Sequence, residues 1–184
     1  TLALALLALP ASAAELSVKI EQPTLSVAEY HRPYLAVWLE KTDGSAVTQL
    51  AVWYDQNKKD HAGAKWLKDL RQWWRKGGRD LAMPVDGVAG ATRAPGVHTL
   101  YWNSQKAPLK QLPAGDYQLM VEAAREVGGR ELLKIPFEWK GKAGNGTAQG
   151  GRSWARMADQ AAIFVPFMPA VSKQGTRYSH FPVE

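Results

Sequence analysis

The sequence predicts a mainly β fold, an immunoglobulin-like antiparallel β-sandwich into which one amphipathic helix, at residues 64–76, is inserted. Three observations support this class. Short segments alternate apolar and polar residues, as half-buried strands do. Turns rich in Gly, Asp and Ser separate these segments at close spacing. A single tryptophan-rich segment has helical periodicity instead. Because the chain has no cysteine, the resemblance to immunoglobulin domains is one of architecture only.

The first predicted strands lie at the start of the domain. In the segment LSVKIEQ, Leu16, Val18 and Ile20 share one face. The segment YLAVWLEK, residues 34–41, is more continuously apolar, and it is separated by a TDGS turn from a further strand at residues 46–55. These two segments predict a β-hairpin.

The inserted helix is predicted from a change of period. Within residues 64–76, one face carries the apolar residues and the other carries lysine, arginine and other polar residues, and the pair Gly77–Gly78 ends the pattern. We expect this face to pack across a sheet. Its members are Trp66, Leu67, Leu70, Trp73 and Trp74.

The remaining strands are predicted at residues 97–103, 117–126 and 131–139, the last two forming a hairpin. Pro136 predicts an edge strand, because proline cannot donate to a sheet ladder. Three glutamates that flank this hairpin are expected to be solvated: Glu122, Glu126 and Glu131. The β-sandwich domain is assigned to residues 14–140. Residues 141–184 are interpreted as a linker and tail, with a last strand in the apolar segment AAIFVPFMP.

The N-terminal segment TLALALLALPASAAEL is an apolar run that ends in small residues. Residues 11–13 match the A-x-A pattern at which signal peptides are cleaved, and the run is shorter than an ordinary membrane-spanning helix. Residues 1–13 are therefore interpreted as a signal-peptide remnant, and the mature protein is expected in a bacterial periplasm. The alternative is an uncleaved membrane anchor.

Composition excludes several functional classes. The 184 residues fit one domain, and the absence of cysteine excludes disulfides, thiolate metal sites and thiol catalysis. The net charge of +6 is spread along the chain without an arginine-rich arm or zinc finger, so no nucleic-acid partner is expected. The sequence contains no GxSxG, P-loop or dinucleotide-binding motif. The histidines show no metal-ligand spacing, and a metal role would require His31 and His98 to converge in space.

One segment carries a candidate site. The stretch DGVAGATRAPG, residues 86–96, is predicted to be a loop with three glycines and one proline, and Thr92 has its only hydroxyl group. The part DGVAGAT resembles the recognition motif of the bacterial flavin transferase that attaches FMN covalently to exported proteins. The match begins at Asp86, has Gly90 and Ala91 as its centre, and departs from the commoner pattern only at Ala89, where Ser or Thr is frequent.

The resemblance implies a phosphoester between the Thr92 hydroxyl and the phosphate of FMN. The acceptor must enter the active site of another enzyme, and small residues leave room for that approach. Arg93 is next to the acceptor and is expected to pair with the remaining phosphate charge. Stacking candidates for the flavin ring are Trp73, Trp74, Tyr101 and Trp102.

Several segments between residues 16 and 140 together resemble a family of predicted periplasmic proteins whose members tend to be encoded near flavin transferases and PepSY-type membrane proteins. They include YHRPYLAVWLE, KWLKDLRQWWR and VEAAREVGGRE. The resemblance implies a periplasmic electron carrier with covalent FMN, modified by an FAD:protein FMN transferase and served by a PepSY-type or other membrane redox protein. Two alternatives remain open at this point: a non-redox binding module that docks a partner through an edge strand or the helix face, and a metal-handling protein.

Overall fold

The described chain is organised around two β-sheets. The computed structural model describes residues 15–24, 26, 29–126, 129–139 and 163–164. The small sheet has the strand order β5-β1-β8, and the large sheet has the order β4-β3-β2-β6-β7. The strands are β1 (Glu15–Gln22), β2 (Tyr34–Lys41), β3 (Val47–Tyr54), β4 (Ala89–Ala91), β5 (Gly96–Asn103), β6 (Gly115–Ala124), β7 (Arg130–Trp139) and β8 (Ile163–Phe164).

The two sheets pack face to face, which confirms the predicted mainly β sandwich. Leu16, Val18 and Ile20 of β1 are buried against the large sheet, as their alternation predicts. From the large sheet, Leu35 and Val121 join the same apolar cluster. All strand pairs are antiparallel except β3 with β4.

The large sheet is buried on its second face too. There, Trp38 and Val52 pack against Leu67, Leu70 and Trp73 from the segment between β3 and β4. Strands that are covered on both faces lose the polar half of the alternation. This double burial explains the continuously apolar β2 segment.

The segment that covers this second face corrects the predicted helix at residues 64–76. It consists of 3₁₀ turns at Lys59–Asp69, a break at Leu70 with φ −76° and ψ 72°, and a short α-helix, α1, at Arg71–Arg75. The tighter 3₁₀ turns change the helical period, so Trp66 is 44% exposed instead of sharing the buried face. The predicted stop is confirmed, because Gly77 follows α1 with a φ of +101°.

Both predicted hairpins form. β2 pairs with β3 through a β-bulge at Val37–Trp38, and β6 pairs with β7 along its whole length. Pro136 lies on β7, which ends the order of the large sheet, as predicted for an edge strand. Within the predicted tail, Ile163 and Phe164 pair with β1. The predicted signal-peptide remnant, the linker and the rest of the tail lie outside the described residues. The described residues contain no helix of the length and apolarity that membrane crossing requires.

Candidate functional site

The segment predicted as a loop contains an edge strand. Ala89–Ala91 form β4, which runs parallel to β3 with Gly90 opposite Trp53. The Val52 amide donates to the Val88 carbonyl at 2.8 Å, and the Thr92 amide donates to the Tyr54 carbonyl at 3.1 Å. The free edge of β3 has satisfied its backbone groups with this segment. The candidate acceptor Thr92 is therefore the first residue after a short strand.

The two ends of the motif have different surroundings. Asp86 and Gly87 form an exposed turn in which Gly87 has a φ of +72°, and the Asp86 side chain makes no hydrogen bond or ion pair with a described residue. In the centre, Gly90 lies against the Trp53 ring, and a Cβ at this position would come within 3.2 Å of Trp53 Cδ1. The first half of the motif is thus accessible, whereas its centre is held close to the sheet.

The residues after Thr92 are fixed by contacts with both sheets. The Arg93 guanidinium lies over the Trp53 ring, 4.2 Å from its centroid, and His98 meets the same ring edge to face. The His98 Nε2 atom is 2.8 Å from the Ala94 carbonyl oxygen. Arg93 does not line the cavity that Thr92 lines. Its predicted pairing with a phosphate on Thr92 stays a prediction.

Thr92 is half-buried and lines a cavity of about 690 Å³. This volume falls in the range of about 300–1,000 Å³ that is common for small-molecule sites. The cavity opens where β2, β3, β4, β6 and β7 meet at one end of the large sheet, next to the 3₁₀ turns. Its wall is formed by Tyr30, His31, Arg32, Tyr34, Asp55, Gln56, Asn57, Lys58, Trp66, Asp69, Arg71, Ala91, Thr92, Ala124, Arg125, Glu126, Gly129 and Arg130.

Basic side chains outnumber acidic ones in this wall. Five are lysine or arginine (Arg32, Lys58, Arg71, Arg125 and Arg130), and three are acidic (Asp55, Asp69 and Glu126). The Nε atom of Arg125 is buried and has no hydrogen-bond acceptor among the described residues. A buried donor of this kind is uncommon in folded proteins and is often explained by a ligand, an ion or a water molecule. The wall is therefore suited to an acceptor-rich, anionic ligand.

The cavity also has aromatic walls, but they are not the predicted ones. Trp73 is buried and donates through Nε1 to the Gln49 amide oxygen at 2.7 Å, which places it in the core beneath α1. Trp74 packs beside it, while Tyr101 and Trp102 lie on β5 in the other sheet. None of these four lines the cavity. The aromatic residues that do are Tyr30, Tyr34 and Trp66.

Tyr34 connects the cavity to the 3₁₀ segment. Its hydroxyl donates to the Gly63 carbonyl at 3.0 Å, and its ring meets Tyr54 edge to face. Burial raises the pKa of the Tyr34 phenol, with the nearby Asp55 and Glu126 carboxylates contributing in the same direction. The phenol therefore remains a neutral donor well above neutral pH, and the tyrosine holds one wall of the cavity in place.

The two histidines considered for a metal have separate surroundings. His31 lines the cavity between Glu29, 3.1 Å from its Nε2, and Glu126, 3.5 Å from its Nδ1. His98 contacts Trp53 on the far side of the motif. Across the residues that the structure describes, no group of three or more His, Asp or Glu side chains is arranged to hold a metal ion.

The expectation that Glu122 is solvated is wrong. Its carboxylate is fully buried and accepts hydrogen bonds from the amides of Gln72 and Trp73, at distances down to 2.9 and 2.8 Å. Arg130 Nη1 donates to its Oε1 at 2.7 Å. Glu131 is also buried. The α1 segment covers the face of β6 that carries Glu122. The apolar–polar alternation of the β6 sequence could not show that this polar residue packs against another segment.

Sequence reasoning missed the cationic side chains of the cavity. Arg32 precedes β2, Arg125 follows β6 and Arg130 begins β7, so all three lie at the same end of the large sheet. Their positions at predicted strand ends could have indicated a shared cationic site. That inference requires the order of the strands in the sheet, which only the structure supplies.

A comparison with family models matches residues 15–156 to the family described as "Predicted periplasmic protein (DUF2271)". The chain belongs to this family. The DUF2271 match covers β1 to β7 and the cavity, and it agrees with the expected periplasmic location. Neither the curated proteins nor the solved structures that were searched contain a match to this DUF2271 chain.

Proposed function

We propose that this protein is a periplasmic electron carrier with FMN attached covalently to Thr92 through a phosphoester. One observation carries the proposal. The motif's acceptor residue lies in the wall of a cavity of about 690 Å³ that has both cationic and aromatic side chains. Sites for cofactors are typically concave and combine apolar surface with a few directed polar groups.

The attachment chemistry balances with FAD as the donor. The Thr92 oxygen forms a bond to the FMN phosphorus as the pyrophosphate bond of FAD breaks, AMP leaves, and the threonine proton is released. The DGVAGAT segment has one hydroxyl group that can act as the acceptor. Its residues support modification by a second enzyme, because Asp86 is exposed and unpaired among described residues and Ala91 is exposed.

The residues present fit the group. Arg32 and Arg71 line the cavity and form no ion pair with a described residue, so each has donors available for phosphate or ring acceptors. Tyr34 and Trp66 offer aromatic surface. When bound, FMN would supply electron transfer in one- or two-electron steps, and the chain would position and tune it. We propose a membrane redox protein, such as one of PepSY type, as the electron-transfer partner.

Intact mass spectrometry tests this function. The chain is expressed with an export signal and together with an FAD:protein FMN transferase. The purified protein should then be yellow and heavier by the mass of FMN less one water. Thr92→Ala should abolish the adduct and Thr92→Ser should keep it. Thr99→Ala, on β5 outside the motif, serves as the matched control and should keep it as well.

Two results would overturn the proposal. One is an adduct that persists in Thr92→Ala. The other is a colourless wild-type chain, although a known acceptor is modified in the same cells. A colourless protein that retains a membrane partner with Thr92→Ala would support the binding-module alternative instead.

A further inference from the structure

The cavity-forming end of the large sheet aligns five strand ends in a fixed order. Ala91 of β4 lies opposite Tyr54 of β3, and Tyr34 of β2 lies opposite Ala124 of β6. Ala124 in turn lies opposite Arg130, the first residue of β7. The edge-to-face contact of Tyr34 with Tyr54 joins the two halves of this row. Thr92 directly follows Ala91, the β4 residue of this row, and Arg125 directly follows Ala124, its β6 residue.

The row determines how far apart Thr92 and Arg125 lie. They are separated by three strand spacings, and neighbouring strands lie about 4.8 Å apart, so the two positions are about 14 Å from each other along the sheet end. Tyr34 stands between them, and both Thr92 and Arg125 line the same cavity. FMN is an elongated group, with a ribityl chain that leads to a three-ring system, and its shape suits a cavity that extends along these strand ends.

Arg125 supplies an independent observation. Its Nε is buried without an acceptor, and its guanidinium forms no ion pair with a described residue. A buried N–H that has lost water without gaining an acceptor destabilises the fold, so an acceptor is expected from outside the described chain. The acceptor-rich part of a flavin is its pyrimidine ring, which carries two carbonyl oxygens and ring nitrogens.

From these observations we infer that the cavity is a cradle for the isoalloxazine ring, with Arg125 donating a hydrogen bond to the pyrimidine edge of a flavin fixed at Thr92. The inference rests on the proposed attachment at Thr92 and goes beyond it. The ring is held against Tyr34 at the sheet end and does not swing freely on the edge strand. Arg125 acts here as a positioning residue.

Flavin anisotropy and visible circular dichroism of the flavinylated protein test the cradle. For the wild type we expect high fluorescence anisotropy and induced dichroism in the flavin bands. Arg125→Met removes the Nε donor and leaves no N–H group in its place, so both signals should fall toward those of free FMN while the adduct mass is unchanged. Arg125→Lys keeps the charge but lacks Nε, and it should resemble Arg125→Met. The matched control Arg79→Met, whose residue is exposed and does not line the cavity, should behave as the wild type.

The outcomes separate the two proposals. A wild-type adduct whose signals match free FMN overturns the cradle and leaves attachment at Thr92 intact. Full wild-type signals in both Arg125 variants overturn the role of Arg125. Absence of the adduct overturns the attachment, and the cradle with it. If Arg125→Met fails to fold, the wild-type signals and Arg125→Lys still decide between these results.

Discussion

The guanidinium of Arg93 covers the ring of Trp53 at 4.2 Å from its centroid, one residue beyond the candidate acceptor Thr92. Trp53 is only 2% exposed and belongs to the core between the two sheets. Gly90 touches the same ring from the neighbouring strand. The short edge strand β4 is therefore fastened to the core by side chains in addition to its backbone hydrogen bonds.

This relationship predicts the effect of Arg93→Gln. The variant loses the cation–π contact, which contributes about 1 kcal/mol when partly shielded from water, so the free energy of unfolding should fall by about that amount. Urea denaturation followed by tryptophan fluorescence measures the change. Hydrogen exchange of the Thr92 amide should accelerate too, because its bond to the Tyr54 carbonyl then lies on a looser strand.

Arg79→Gln is the matched control for this prediction. Arg79 is exposed, and its nearest acidic partner, Asp80, is at the limit of 4.0 Å, so the change should stay within about 0.5 kcal/mol. Equal losses in the two variants would mean that the contact with Trp53 contributes nothing specific.

A second prediction concerns Glu122→Gln. The buried carboxylate accepts from two amides of α1 and from Arg130, and an amide of the same size has only one acceptor oxygen and repels some of these donors. We expect a loss of about 2 kcal/mol in the free energy of unfolding, as for hydrogen bonds to a charged group. Thermal or urea denaturation measures it. Glu126→Gln, at an exposed position, should change stability little, and a comparable loss there would contradict the prediction.

The burial of Glu122, which was expected to be solvated, shows what sequence periodicity can and cannot predict. Alternation along β1 predicted correctly that Leu16, Val18 and Ile20 are buried, because one face of that strand meets the large sheet. The same reasoning failed on β6, where α1 adds a second layer and buries residues of both faces. Apolar–polar alternation predicts one buried face of a strand. A segment that covers the second face of the sheet is found only when the tertiary contacts are known.

The residues of the candidate site also fall into two groups, those that the sequence predicts and those that only the tertiary structure brings together. Thr92 was predicted from a local motif, which is a property of consecutive residues. Arg125, Arg130 and Tyr34 come together through strand order, which is a property of the whole sheet. Trp66 was assigned to the wrong side because 3₁₀ turns replace the expected α-helical period. Local signals therefore predict a candidate acceptor, and non-local packing determines what surrounds it.

A third prediction is a pH dependence at the β2–β3 turn. Hydrogen bonds from the Ser45 side chain and amide, together with the Lys41 ammonium at 3.2 Å, lower the pKa of Asp43 to about 2. In the unfolded chain its pKa is about 3.9. Because the folded value is lower, Asp43 stabilises the fold fully above about pH 5, and this contribution disappears progressively as the pH falls through about 4 toward about 2.

Comparison of the wild type with Asp43→Asn measures this effect. The difference in unfolding free energy between the two should be constant above about pH 5 and shrink as the solution is acidified below about pH 4. A difference that grows toward acid would contradict the lowered pKa. Lys41→Gln removes one cause of the shift, so the same curve should move to higher pH in that background.

The last prediction contrasts Gly63→Ala with Gly44→Ala. Gly63 lies so close to β3 that a Cβ would collide with the backbone carbonyl of Asp55, which cannot move without disturbing the strand end. Gly44 has free space around it, but its φ of +74° disfavours alanine by about 1–2 kcal/mol. We expect Gly63→Ala to cost clearly more than Gly44→Ala in urea denaturation. It should also weaken the hydrogen bond from Tyr34 to the Gly63 carbonyl and so loosen the cavity wall. Equal costs would show that the 3₁₀ segment can shift away from β3, and the close approach would then contribute little to the fold.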